Sequence, residues 1–286
     1  TGKSSRRLEV AGEVSAVMEE EPESDDFAPA ADPDRVRTLI DEADALARKG
    51  RKSEAGAKYR EAVALDPGNE EALNFLQTRL RQTRKYAELR DILLAATRSV
   101  GATQDAKRNW LREIAGLCET QLRDLDTAIH ALQQLVSLDS GEGPRVQLKR
   151  LLERAGRWDD VATLLEQEAE QAPDLEVRIS LEKNLAKLHE HTRKDVVAAG
   201  DAWARIASLT PEDDSALMTA VKFYEKGERL DLAADAIAAN VGALEDEAAR
   251  GQLLGRLGQL RRDAGDMLAA SDAFAEGAAL SQKSKL

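Results

Sequence analysis

The sequence predicts an all-α array of about seven helix-turn-helix hairpins, and three observations carry that reading. First, the 286 residues hold 42% apolar, 33% charged and only 3% aromatic side chains with 7 Pro, a balance that suits helices joined by many small contacts. Second, from Val36 onward apolar residues recur at helical spacing. Short polar turns such as Lys49-Gly50-Arg51 and Ala155-Gly156-Arg157 interrupt them, and no window alternates with period two. Third, the pattern repeats. The segment Ala55-x3-Tyr59-x5-Leu65 returns as Ala128-x3-Leu132-x5-Leu138, Ala199-x3-Trp203-x5-Leu209 and Ala270-x3-Phe274-x5-Leu280, so the bulky residue advances by 73, 71 and 71 positions. Tyr86, Trp158 and Leu230, each opening a helix after a turn, form an interleaved series at intervals of 72 and 72. Two series sharing one period make the unit a pair of hairpins of unequal length.

Taken in order, residues 1–35 read as an acidic, largely unstructured tail: ten acids oppose four bases, which places −6 of the net −12 there. Residues 36–286 read as the array, with hairpins near 36–67, 70–101, 105–140, 143–172, 175–210, 213–242 and 245–281. A hairpin of about 34 residues has too little apolar surface to stand alone, so each must bury a face on its neighbours. After Leu280 too few residues remain for another helix. The face carrying Leu268, Ala269 and Phe274 is therefore expected to stay partly open, and to contact another copy or further chain. Tyr59, Leu132, Trp203 and Phe274 are expected to be buried at equivalent places, with Tyr86, Trp158 and Leu230 as a second packing set.

Several function classes fall away. No stretch approaches the roughly 20 apolar residues of a membrane span, and the single Cys118 reads as a buried thiol. A pI near 5.0 disfavours a nucleic-acid binder, whose affinity rests on neutralising phosphates. Thr1-Gly2-Lys3-Ser4 lacks the preceding glycine-rich turn of a phosphate loop. In His189-Glu190-His191 the imidazoles lie two residues apart on a helix and diverge by roughly 200°, so they read as a solvated helix end and not a metal site. Neither a cofactor, a metal nor an enzymatic activity is expected. Because residue 1 is Thr, any upstream targeting sequence is invisible here; a cytoplasmic location is the expectation, and the peroxisomal form of Ser284-Lys285-Leu286 is set aside.

The aligned residues resemble the tetratricopeptide repeat. Ala43, Leu46, Gly50, Ala55, Tyr59, Ala62 and Pro67 carry the likeness in the first hairpin, and Leu254, Leu257-Gly258, Gly265, Ala270 and Phe274 in the last. Hairpins two, four and six lack the alanine and proline signatures. Ile114-Ala115 and Leu185-Ala186 stand one residue further from their second helices than Leu257 does, which implies a longer first helix or turn. The resemblance implies a right-handed α-solenoid, of the divergent style common in bacteria, whose first helices line a concave face. Register then places Asn74, Thr78, Arg81, Arg112, Arg150, Arg154, Lys183 and Lys187 on that face. The expected role is a non-catalytic scaffold or adaptor that holds an acidic or extended segment of a partner protein. The alternative is an assembly module stacking on another copy or on further chain. The acidic run Glu19 to Asp26 is close enough to compete for the near end of the groove.

Overall fold

The computed structural model describes residues 32–283 apart from Ser140 and Asp213. The acidic run, the Thr1-Gly2-Lys3-Ser4 segment and Ser284-Lys285-Leu286 lie outside the described residues. Two compact units are present, one ending at Leu76 and one beginning at Gln77.

The first unit contains α1 (Pro33–Arg48), α2 (Lys52–Leu65) and the opening turns of α3 (Glu70–Gln82). Asp32 caps α1, its carboxylate accepting from the amides of Asp34 at 3.1 Å and Arg35 at 3.4 Å. Pro33 occupies the first helical position, where a missing N–H costs nothing. Pro33 to Arg35, counted with the tail in the sequence, are thus the first turn of α1. Val36, Leu39, Ile40 and Ala43 are buried on α1, as are Ala55, Tyr59, Ala62 and Val63 on α2, and the two helices pack together. Tyr59 ties three helices: its ring stacks on Phe75 of α3 with centroids 4.3 Å apart, and its hydroxyl donates to Asp44 of α1.

The second unit runs through the rest of α3, α4 (Tyr86–Thr97), α5 (Gln104–Leu117), α6 (Leu125–Leu138), α7 (Glu142–Arg154), α8 (Trp158–Gln171) and α9 (Leu175–Lys187). It continues with α10 (Val196–Leu209), α11 (Asp214–Lys226), α12 (Leu230–Asn240), α13 (Glu247–Asp263) and α14 (Met267–Lys283). From α4 to α13 each helix packs on the one that follows it. Among the described residues there is no strand, and the fold is the all-α repeat array that the periodicity predicts. Tyr86, Trp158 and Leu230 open α4, α8 and α12.

Every hairpin turn is closed the same way. One residue enters the left-handed region, and the next donates its amide back into the first helix. The left-handed residues are Gly50, Arg84, Arg123, Gly156, Lys194, Glu228 and Gly265, at intervals of 34, 39, 33, 38, 34 and 37 residues. In five hairpins the closing bond spans five residues, as in Arg51 N to Leu46 O (3.0 Å) and Arg157 N to Leu152 O (2.9 Å). In the other two it spans six: Asp124 N to Cys118 O and Asp195 N to His189 O, both 2.9 Å. There the first helix ends in a π turn, Cys118–Leu122 after α5 and Leu188–Arg193 after α9. The extra residue that the sequence shows after Ile114-Ala115 and Leu185-Ala186 sits in these π turns.

Two expectations need correction. Burial along the first bulky series is unequal: Tyr59 and Leu132 are buried, Trp203 is half-buried against the core formed around α11, and Phe274 is 39% exposed. Tyr59 lies against Phe75 of α3 and Trp203 against the core around α11, whereas among the described residues no helix follows α14. His189, read as part of a solvated end, is instead 3% exposed, while His191 two residues on faces out. Their divergence is the one expected, but helices α8 and α10 close over the π turn and take His189 inside.

Candidate functional site

The first helices α7 and α9 flank the end of α8, and their sequences leave apolar groups outside. Val146 on α7 is 58% exposed and Val177 on α9 is 49% exposed, although Leu148, Leu151 and Leu152 already satisfy the core side of α7. Between them runs an open groove of about 390 Å³, lined by Val146, Val177, Leu181 and Pro173, with Arg145 and Lys149 on one wall. Arg145 donates to Gln171 at 3.0 Å, which holds its guanidinium at the groove edge. Burial pushes the Glu168 carboxyl above its ordinary range, opposed by the charges of Lys149 and Arg145. The groove thus joins exposed apolar surface to two cations and two carboxylates, Glu142 and Glu168, the second partly stripped of water.

The eight residues placed on the inner face by register do not form one basic surface. Asn74, Thr78 and Arg81 share the exposed side of α3. Arg81 pairs with Glu113 of α5 at 2.6 Å, and Arg112 pairs with Asp139 beyond α6. The Gly141 amide, and after it Arg112, hold the Asp139 carboxyl below its usual range. Arg150 and Arg154 converge on Glu119 in the π turn after α5, at 2.6 and 3.8 Å, and Gln147 adds a bond at 3.3 Å. Each of these four arginines therefore meets a carboxylate from elsewhere in its own unit. Lys183 and Lys187 lie exposed on α9, one turn apart, and make no ion pair among the described residues.

Sequence reasoning did not single out Val146 or Val177, because both fit a helical apolar stripe. The signal present in the sequence was surplus: α7 offers more apolar positions than one buried face can use. Cys118 is buried, and desolvation pushes its thiol up to about 11, so it is protonated at neutral pH. The described residues hold no cluster of three metal-ligating side chains and no helix long and apolar enough to cross a membrane.

These features define a helical-repeat protein whose hairpins resemble divergent tetratricopeptide repeats. No family model matches the chain, and no curated protein matches it. Among solved structures it is similar to Naa15/Naa10 bound to HypK-THB, at 16% identity and a TM-score of 0.42, over 84% of this chain and 39% of that one. A tetratricopeptide repeat protein from Parabacteroides merdae is similar at 15% identity and a TM-score of 0.31, over 86% and 93% of the two chains. The TPR2AB domain of yeast Sti1 in complex with pHSP90 is similar at 16% and 0.30, over 88% and 92%. The chain spans about two fifths of the first of these. At such identities and scores the likenesses are loose, and the fold rests on the chain's own hairpins and turns.

Proposed function

We propose that the protein is a non-catalytic adaptor that holds a short segment of a partner protein across α7 and α9. The observation that carries this reading is the placement of exposed Val146 and Val177 in one groove beside Arg145 and Lys149. An apolar side chain of the segment seats between the valines, and acidic residues beside it meet the two cations, with Lys183 and Lys187 extending the positive charge along α9. Apolar contact provides most of the affinity, and charge sets orientation and salt sensitivity. Arg81, Arg112, Arg150 and Arg154 support this site as compensated rungs between repeats and not as free ligands for the partner.

The test is affinity capture with the full chain and with a Val146→Glu/Val177→Glu variant, followed by titration of the captured segment at low and high salt. Loss of capture by the variant, with affinity falling as salt rises, supports the reading. A folded variant that captures the same segment with equal affinity refutes it.

A further inference from the structure

An open cavity of about 280 Å³ lies where the end of α4 meets the first turns of α5 and the last turns of α6. Arg98 after α4 and Lys107 on α5 both line it, and neither makes an ion pair among the described residues. No carboxylate is among the described residues that line it. The acids nearest in sequence are engaged by other arginines: Asp105 pairs with Arg108 at 3.1 Å, and Asp139 pairs with Arg112. In a chain of net charge −12, two uncompensated cations on one cavity are a local reversal of sign.

The repeat shows how this reversal arises. Two hairpins on, at offsets of 71 or 72 residues, Glu170, Asp174, Arg178, Glu182 and Arg205 stand where this junction has Arg98, Thr103, Lys107, Leu111 and Gln134. There Asp174 caps α9 and the buried Glu182 accepts from Arg205 at 2.9 Å, so the chain supplies its own carboxylates. At the cavity, neutral Thr103 caps α5 through its hydroxyl at 3.2 Å, Leu111 replaces the buried acid, and Arg98 puts a cation where Glu170 has an acid.

The walls also differ in hydrogen-bonding character. Arg98, Lys107 and the side-chain amide of Gln104 supply donors from the α4 and α5 side. On α6 the Ser137 hydroxyl donates to Gln134 O at 2.7 Å, and Gln134 Nε2 meets His130 Nε2 at 3.1 Å. Ser137 Oγ and Gln134 Oε1 are thereby left as acceptors. Thr97 adds a third, its own proton donated to Leu94 O at 2.8 Å. A bare anion would match the cations and leave these acceptors without donors, whereas hydroxyl groups on the same molecule would satisfy them.

We propose that the cavity binds a small oxyanion that also carries hydroxyl groups, of the class of a phosphorylated or carboxylated polyol. The oxyanion lies on Arg98 and Lys107, and the hydroxyls donate to Gln134 and Ser137. The site shares no lining residue with the groove between α7 and α9, and the two stand or fall independently.

Isothermal titration of glycerol phosphate and of glycerate into the full chain tests this, with inorganic phosphate as the bare anion and circular dichroism to check the fold of each variant. Saturable binding is expected, and the tighter of the two polyols identifies the oxyanion as phosphate or carboxylate. Arg98→Gln and Lys107→Gln should each weaken it about tenfold. Gln134→Leu should weaken the polyol severalfold and leave inorganic phosphate unchanged. Lys194→Gln, which removes an exposed cation from the turn before α10, should change nothing. No saturable binding of either polyol, equal binding by the wild type and the three cavity variants, or an equal loss in Lys194→Gln overturns the proposal. Inorganic phosphate bound as tightly as the better polyol overturns it as well.

Discussion

Replacing the four non-glycine residues in the left-handed turns by glycine is expected to stabilise the protein. Arg84, Arg123, Lys194 and Glu228 hold φ between 55° and 59°, where a Cβ crowds the following carbonyl. That crowding costs about 1–2 kcal/mol per residue, and glycine removes it. Glycine also loosens the unfolded chain by about 0.5–1 kcal/mol, so the net gain is about 0.5–1 kcal/mol at each site. All four side chains are exposed and make no ion pair among the described residues, so little else is lost. The sites lie more than 30 residues apart in a chain whose contacts run between neighbours, so the effects should add to about 2–4 kcal/mol in the quadruple variant. The converse substitutions, Gly50→Ala and Gly265→Ala, have open space where the new methyl would go, and should cost about 1 kcal/mol each through backbone strain alone. Urea unfolding followed by circular dichroism measures both. A quadruple variant no more stable than the wild type, with unharmed alanine variants, would show that the turns carry no such strain.

Two further outcomes follow from buried ionisable groups. Burial, and after it the charge of Arg193, hold the His189 imidazole below its ordinary range, so the fold favours the neutral ring. The unfolded chain then binds the proton more readily, and stability present above about pH 6.5 should decline as pH falls through the lower folded value. The His189→Gln variant should flatten that slope, and an unchanged slope between pH 7.5 and 5.5 (roughly the histidine range) would count against it. In the second, Glu182 is 3% exposed and accepts from Arg205 Nε at 2.9 and 3.0 Å, while Arg205 itself reaches solvent. Arg205→Ala strands a buried carboxylate and should cost about 3–5 kcal/mol, whereas Glu182→Ala leaves a cation that can turn to water and should cost distinctly less. Equal losses in urea unfolding would contradict the asymmetry.

The hairpins were legible in the sequence because each needs only local signals: a stripe, a turn and a second stripe. Gly50, Gly156 and Gly265 announced three of the seven left-handed turns, but Arg84, Arg123, Lys194 and Glu228 carry no such mark and are held there by the closing hydrogen bonds. The arginines were readable as charges and not as pairs, since Glu113, Glu119 and Asp139 reach them across intervals of 27 to 35 residues. A helical wheel told that His189 and His191 diverge, yet only the packing of α8 and α10 decides which one is inside. Phe274 looks like Tyr59 in sequence and differs from it only by what stands next.

The paired π turns make two places in the chain locally interchangeable. In both, a left-handed basic residue, Arg123 or Lys194, is followed by an aspartate, Asp124 or Asp195, that closes the turn and caps the next helix. A recombination event joining Arg123 directly to Asp195 would excise the 71 residues from Asp124 to Lys194 and leave the junction with the backbone bonds and cap it already had. Crossing over between these points changes the number of repeats by two at a time, so a gene encoding this chain can lengthen or shorten its product by a unit of four helices without inventing a new loop.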